Sequence, residues 1–273
     1  MAGLPRSLTT GGAILVLVLL AALFGPLLAP FPYDQMDIMA RMTPPDAVHW
    51  LGTDEFGRDV LSRMLFGARL SLLMGIGATL VSLLVGVPLG LAAGYHGGKV
   101  DEAIMRAIDL VISVPPILMG LLLLSLSTPN VWKTAVAVGI IYVPIMARLT
   151  RGVTLEIARE EFVLAARARG ERLWYILGAE ILPNAWPPII VEAALRVTFA
   201  IMLGAALSFL GLGVQPPSSD WGLMIAEARP FIDTAPWVAL APGAVLCITV
   251  IAVNLVGDGL REVLDPRLRR GRG

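Results

Sequence analysis

A single cysteine and two histidines in 273 residues close off several chemistries at once. Cys247 has no partner for an internal disulfide, and its place in an apolar run predicts a small buried hydrophobe. His49 and His96 lie in separate loops without metal-ligand spacing, and no His-Glu-x-x-His stretch occurs. A hydrolase working inside a membrane would need such a motif or a nucleophile–base set, so that class is disfavoured. Charge is also scarce: Asp, Glu, Lys and Arg make up 15% of the chain and the formal net charge is zero. The overall balance therefore points to no nucleic acid or other strongly charged partner. Internal repeats, low-complexity tracts and a soluble domain are missing. Gly98-Lys99 is no phosphate loop, because Val100 follows where Ser or Thr belongs and the upstream glycine is lacking.

What the chain has instead is apolar length. It is 56% hydrophobic, with a mean hydropathy of +0.78. A membrane crossing needs roughly 20 apolar residues. Six such segments are predicted, near 11–31, 70–94, 104–126, 131–149, 188–212 and 237–257. The first is long for a signal-peptide core and lacks a clear small-x-small site, so it reads as an uncleaved span. With both termini on one side, that side carries fourteen Lys and Arg. The other carries six: Arg41, Arg58, Arg63, Arg69, Lys133 and Arg229. The positive-inside rule then predicts cytoplasmic termini and a cytoplasmic loop at 150–187.

That loop carries its own pattern. Residues 154–169 are rich in helix formers and predict a first helix, Gly170 suits a turn of positive φ, and a second short helix with Trp174, Tyr175 and Ile181 is expected to stop at Pro183. On the other side, Thr53 and Asp54 are expected to cap an amphipathic surface helix over 53–69, with Arg58, Asp59 and Arg63 turned away from its apolar face. Asp54, Arg58, Asp59 and Arg63 are candidates for an outer docking or gating element, with a plain interfacial anchor as the alternative. Gly94–Gly98 predicts a tight turn, followed by Glu102–Arg106 and Arg106–Asp109 pairs. Gly211, Gly213, Pro216 and Pro217 predict an abrupt end to the fifth span, with Trp221 as an interfacial anchor. Glu192 and Arg196 are one turn apart, Arg196 about 12 Å into the membrane by helical rise. They either pair structurally or line a pathway.

The loop resembles the coupling segment of ABC importer permeases, whose pattern is Glu-Ala-Ala, three residues, Gly, nine residues, Ile, one residue, Leu-Pro. Ala165, Ala166, Gly170, Leu182 and Pro183 fall in register; Leu164 replaces the glutamate and Glu180 the isoleucine. Four further stretches are similar to the C-type permease subunit of the dipeptide, oligopeptide and nickel importers. They are 49–72 (HWLGTDEFGRDVLSRMLFGARLSL), 86–116, 208–222 (SFLGLGVQPPSSDWG) and 254–269.

The resemblance implies an all-α integral membrane protein of six transmembrane helices with the type-1 ABC importer permease fold. Residues 1–68 would hold the first helix and an extracytoplasmic segment, 69–258 the permease core and 259–273 a cytoplasmic tail. The implied function is half of the translocation pathway of an ATP-driven importer of di- or oligopeptides in the bacterial cytoplasmic membrane. Nickel or glutathione import is the alternative. The implied partners are a B-type permease subunit, cytoplasmic ATPase subunits and an extracytoplasmic solute-binding protein. ATP and Mg would sit on the partners, leaving no cofactor and no catalysis in this chain. Glu161, Leu164, Ala165, Ala166, Arg167, Gly170, Leu182 and Pro183 would meet the ATPase, and Glu192 and Arg196 could contact charged peptide termini. An ion-coupled transporter would more usually show inverted repeats, and the docking loop argues against it.

Overall fold

The computed structural model describes residues 5–125, 128 and 130–264, which are helical apart from their connections. The tail arginines Arg267, Arg269, Arg270 and Arg272, and the turn expected at Pro129, lie outside the described residues. Long helices are what this composition demands, since a backbone in hydrocarbon must satisfy its hydrogen bonds internally. Four helices are long and apolar enough to cross a membrane: α1 (Arg6–Leu28), α2 (Val60–His96), α5 (Val131–Ile157) and α10 (Trp237–Leu264). So is α8 (Leu182–Phe209) together with the turns that lead into it.

The third crossing is broken. α3 (Gly98–Ile112) and α4 (Pro116–Ser125) meet at 87°. Pro115 and Pro116 cannot donate backbone hydrogen bonds, and a residue before proline is pushed out of the α region. α2 and α5 lie side by side and point the same way: Gly86 meets Met146, Gly90 meets Thr150 and Gly94 meets Thr154. The chain must therefore cross back between them, and the bent pair makes that pass. Among the described residues this gives five long spans and the bent pair as a sixth crossing, the expected 104–126 span being split in two.

One end of the bundle is a cap, formed by residues 29–59 folded onto α9 (Trp221–Ala228). The other end carries the 158–181 loop with α6 (Glu161–Ala168) and α7 (Leu173–Tyr175). Leu17, Leu23 and Leu27 of α1 are among the many large apolar side chains turned outward, as a lipid-facing helix requires. Cys247 also faces outward from α10, correcting the expected burial: an apolar run in a membrane protein does not distinguish a core face from an outer one.

Candidate functional site

The loop end is built as one unit. α6 ends in a left-handed glycine: Gly170 has φ of 75°, its N–H donates to Arg167 O at 2.9 Å, and the Glu171 N–H reaches Ala166 O at 3.2 Å. These two bonds are a Schellman closure, satisfying carbonyls that the helix end leaves free. Val163 and Ala166 point inward from α6, and Ile176 and Ile181 from the following turns. They share an apolar core with Val87 and Leu91 of α2 and Met146 of α5. Arg167 lies 4.3 Å from the Tyr95 ring centroid at the end of α2. Turned outward are Phe162, Leu164, Leu173 and Trp174, the last 69% exposed. Glu161 and Ala165 are exposed beside them, and Leu182 is partly buried against the shared core.

Two expectations for this loop need correcting. The first helix does not run unbroken from 154: α5 continues to Ile157, and a turn at 158–160 separates it from α6. Pro183 does not stop the second helix either. α7 passes through a π-helical turn, Ile176–Ile181, straight into α8, with Pro183 in its first turn, where a missing N–H is tolerated. The Leu182 N–H bonds to Leu177 O, five residues back, so the wider π turn delivers the chain to the proline. Glu180, which replaces isoleucine in the pattern, lies 3.7 Å from Arg169.

The cap differs most from expectation. Residues 53–59 form a tight turn closed by the Thr53–Asp59 bridge, and α2 starts only at Val60. The N-cap is Asp59, not Thr53 or Asp54; it accepts from the Ser62 N–H at 2.8 Å and meets His49 Nδ1 at 3.0 Å. Gly57 makes this turn possible, with φ of 71° and no room for a Cβ against Asp37 O. Asp54, Arg58, Asp59 and Arg63 are buried rather than presented on a surface. Asp54 Oδ2 lies 2.6 Å from both Arg58 Nε and Arg63 Nη1, and Arg63 Nη2 lies 2.7 Å from Glu227 on α9. The helix-wheel reading failed because ion pairing lets guanidinium groups take core positions. Burial pushes the Glu55 carboxyl up, opposed mainly by its own backbone N–H. Trp221 is buried too, its indole N–H donating to Met64 O at 3.1 Å, so it locks α9 to α2 rather than anchoring an interface.

Glu192 and Arg196 do pair, at 2.8 Å. The guanidinium lies 4.7 Å from the Phe199 ring centroid and 5.4 Å from that of Tyr142 on α5, so the pair is packed mostly inside the chain's own bundle. Glu102 pairs with Arg106 as expected, but Asp109 meets Arg148 of α5 at 2.6 Å instead of Arg106. Asp101 and Arg151 make a second, two-pronged clamp between α3 and α5. Sequence reasoning missed Tyr95, Glu227 and Arg151, whose partners are distant in sequence. It also passed over Gly86 and Gly90 and placed Gly94 in a turn, whereas all three lie inside α2 against α5 and the turn comes at Gly97–Gly98; a glycine every fourth residue signals close helix packing.

Comparison with known proteins fits this architecture. Residues 86–270 match the family described as binding-protein-dependent transport system inner membrane component, and 7–45 match the N-terminal TM domain of oligopeptide transport permease C. The dipeptide transport system permease protein DppC of Alkalihalophilus pseudofirmus is 41% identical, over 95% of this chain and 85% of its own. The glutathione transport system permease protein GsiD of Pectobacterium atrosepticum is 40% identical, over 97% of this chain and 89% of its own. A crystal structure of the MetNI methionine ABC transporter in an inward-facing conformation superposes with a TM-score of 0.62 at 18% identity, covering 74% of this chain and 96% of that one. That likeness is one of fold. The six-pass helical chain with its glycine-hinged loop belongs to the family of binding-protein-dependent transport system inner membrane components.

Proposed function

We propose that this chain forms half of the translocation pathway of an ATP-driven importer of di- or oligopeptides, with the loop end in the cytoplasm. The observation that carries the reading is the loop's two-sided construction. Its outer face offers Phe162, Leu164 and Trp174 among arginines, while its inner face is continuous with the core of α2 and α5. A cytoplasmic ATPase seated on that face would push on a rigid unit, and the displacement would pass into two membrane-crossing helices. The partner ATPases would bind and hydrolyse MgATP, a B-type permease subunit would complete the pathway, and an extracytoplasmic binding protein would deliver substrate to the cap end. In this reading Glu161, Leu164, Ala165, Ala166, Arg167, Gly170, Leu182 and Pro183 form or support the ATPase contact, and Asp54, Arg58, Asp59 and Arg63 hold the cap to α9. The chain itself does no covalent chemistry.

Peptide relatives support the substrate class, and the 40% identical glutathione permease supports a second reading within it, because glutathione is itself a tripeptide. Uptake of labelled dialanine, a labelled pentapeptide, glutathione and nickel by proteoliposomes containing the whole assembly would decide. The expected result is peptide uptake that needs MgATP and survives collapse of ion gradients. Uptake driven by a gradient alone would overturn the reading.

A further inference from the structure

Arg69 has no role in the arrangement described so far. It is exposed on α2 at the cap end, and among the described residues it has no carboxylate within ion-pair distance. It opens onto a groove of about 370 Å³ between α2, the start of α5 and the segment before α9. Leu70, Leu73 and Val131 line the groove together with Trp132 and Ser218. Tyr33 and Phe66 close another wall, their rings 4.7 Å apart.

The level of this groove is fixed by its neighbours. Trp221 and Ser219 of the cap bond to α2 at Met64 and Arg63, just before Arg69, and Trp132 is the second residue of α5. Arg69 therefore lies level with the edge of the cap, whose Trp221 backbone N–H also reaches Ser71 Oγ at 3.2 Å, and at such an edge arginine and tryptophan meet lipid headgroups. From there Leu70 and Leu73 carry the apolar wall deeper. A cation at headgroup level with an apolar trough beneath it complements one amphiphile with an anionic head and a hydrocarbon chain.

We propose that this groove is a binding site for an anionic glycerophospholipid of the leaflet at the cap end. Its phosphodiester is held by Arg69 and Ser218, and one acyl chain lies along Leu70, Leu73 and Trp132. A substrate peptide fits less well: it brings an ammonium as well as a carboxylate, and the groove lining contains no acid to receive it. The guanidinium supplies two parallel donors to a phosphate, which an ammonium cannot.

The test uses the full chain, purified with the subunits that accompany it. Native mass spectrometry would count retained phospholipid, and thermal unfolding would be followed as phosphatidylglycerol, phosphatidylcholine or dialanine is added back. The wild-type protein is expected to retain phosphatidylglycerol and to rise in Tm with it more than with phosphatidylcholine. R69Q should retain about tenfold less, the usual effect of losing a charged hydrogen bond, and R69K should fall between. L73W, which fills the trough and keeps the cation, should also lose the lipid, and it decides the matter if R69Q fails to assemble. Equal retention in wild type and in L73W or R69Q would overturn the proposal. So would a Tm response at Arg69 to dialanine in place of phosphatidylglycerol, which would make the groove a substrate subsite.

Discussion

Arg167 lays its guanidinium over the Tyr95 ring, 4.3 Å from the centroid, and so joins the loop helix α6 to the last turn of α2. The contact is a charged tie between the outer face of the loop and a membrane-crossing helix. Cation–π contacts at exposed sites are worth about 0.5–1 kcal/mol. Arg167→Met keeps the apolar stem and removes the charge. It should lower transport coupled to ATP by roughly two- to fivefold with normal membrane levels. Uptake per ATP hydrolysed is the measurement, and an unchanged ratio would remove the contact from the coupling route.

Gly170 bears directly on the same unit. Proline at 170 cannot adopt φ of 75° and loses the N–H that bonds Arg167 O. Gly170→Pro should therefore uncouple transport while the spans still insert. Full ATP-driven uptake in this variant would refute the coupling role. Leu164→Glu should be tolerated, since Leu164 is half exposed and makes no part of the shared core.

These residues show what was legible in the sequence. Six crossings, the Gly170 turn and the Glu192–Arg196 pair follow from periodicity, spacing and the special conformations of glycine. The cap did not follow, because Arg58 and Arg63 read as surface charges until Asp54 and Glu227 are brought to them, Glu227 from more than 160 residues away. Trp221 misled for the same reason: an interfacial tryptophan and one buried under a cap look alike in one dimension. The break at 113–115 was not anticipated in the 104–126 span, although Pro115 and Pro116 could have signalled it; the pairs that α3 makes with Arg148 and Arg151 lie too far apart in sequence to be read.

The α2–α5 contact sets a steric limit. A Cβ at Gly90 would stand 2.5 Å from both Ala147 O and Thr150 Cβ. Backbone cannot yield cheaply, and overpacking of this kind costs about 1–3 kcal/mol. Gly90→Ala should lower the Tm of the purified assembly, and Gly90→Val should fail to accumulate in the membrane. Gly152→Ala and Gly178→Ala are the controls, since nothing lies within 4 Å of a Cβ at either position. Equal stability of Gly90→Ala and the controls would mean the two helices are not so close.

The cap network invites a double substitution. Arg63→Met leaves Glu227 with only Arg58, at 3.3 Å, and strips one of two guanidinium groups from Asp54. Removing one partner of a buried pair costs about 3–5 kcal/mol, whereas replacing both can be far milder. The Arg63→Met/Glu227→Leu double variant should therefore melt above Arg63→Met alone. Simple additivity of the two losses would show that the pair is not coupled.

Asp220 gives the cap a pH dependence of definite sign. It caps α9 by accepting from the Leu223 N–H at 2.9 Å, and Ser208 Oγ lies 2.7 Å away. Burial pushes its carboxyl above the usual range, with the Leu223 N–H and then Ser208 pulling the other way. A carboxyl with a raised folded pKa favours folding while protonated, and that contribution is lost as pH rises through the raised value. Asparagine is neutral at every pH and caps helices as well as aspartate does. Asp220→Asn should therefore match the wild type in acid and melt higher once the pH has passed the raised value, with a flatter Tm–pH curve. A variant that melted lower than wild type at pH 8 would show instead that the ionised carboxylate itself holds α9 in place.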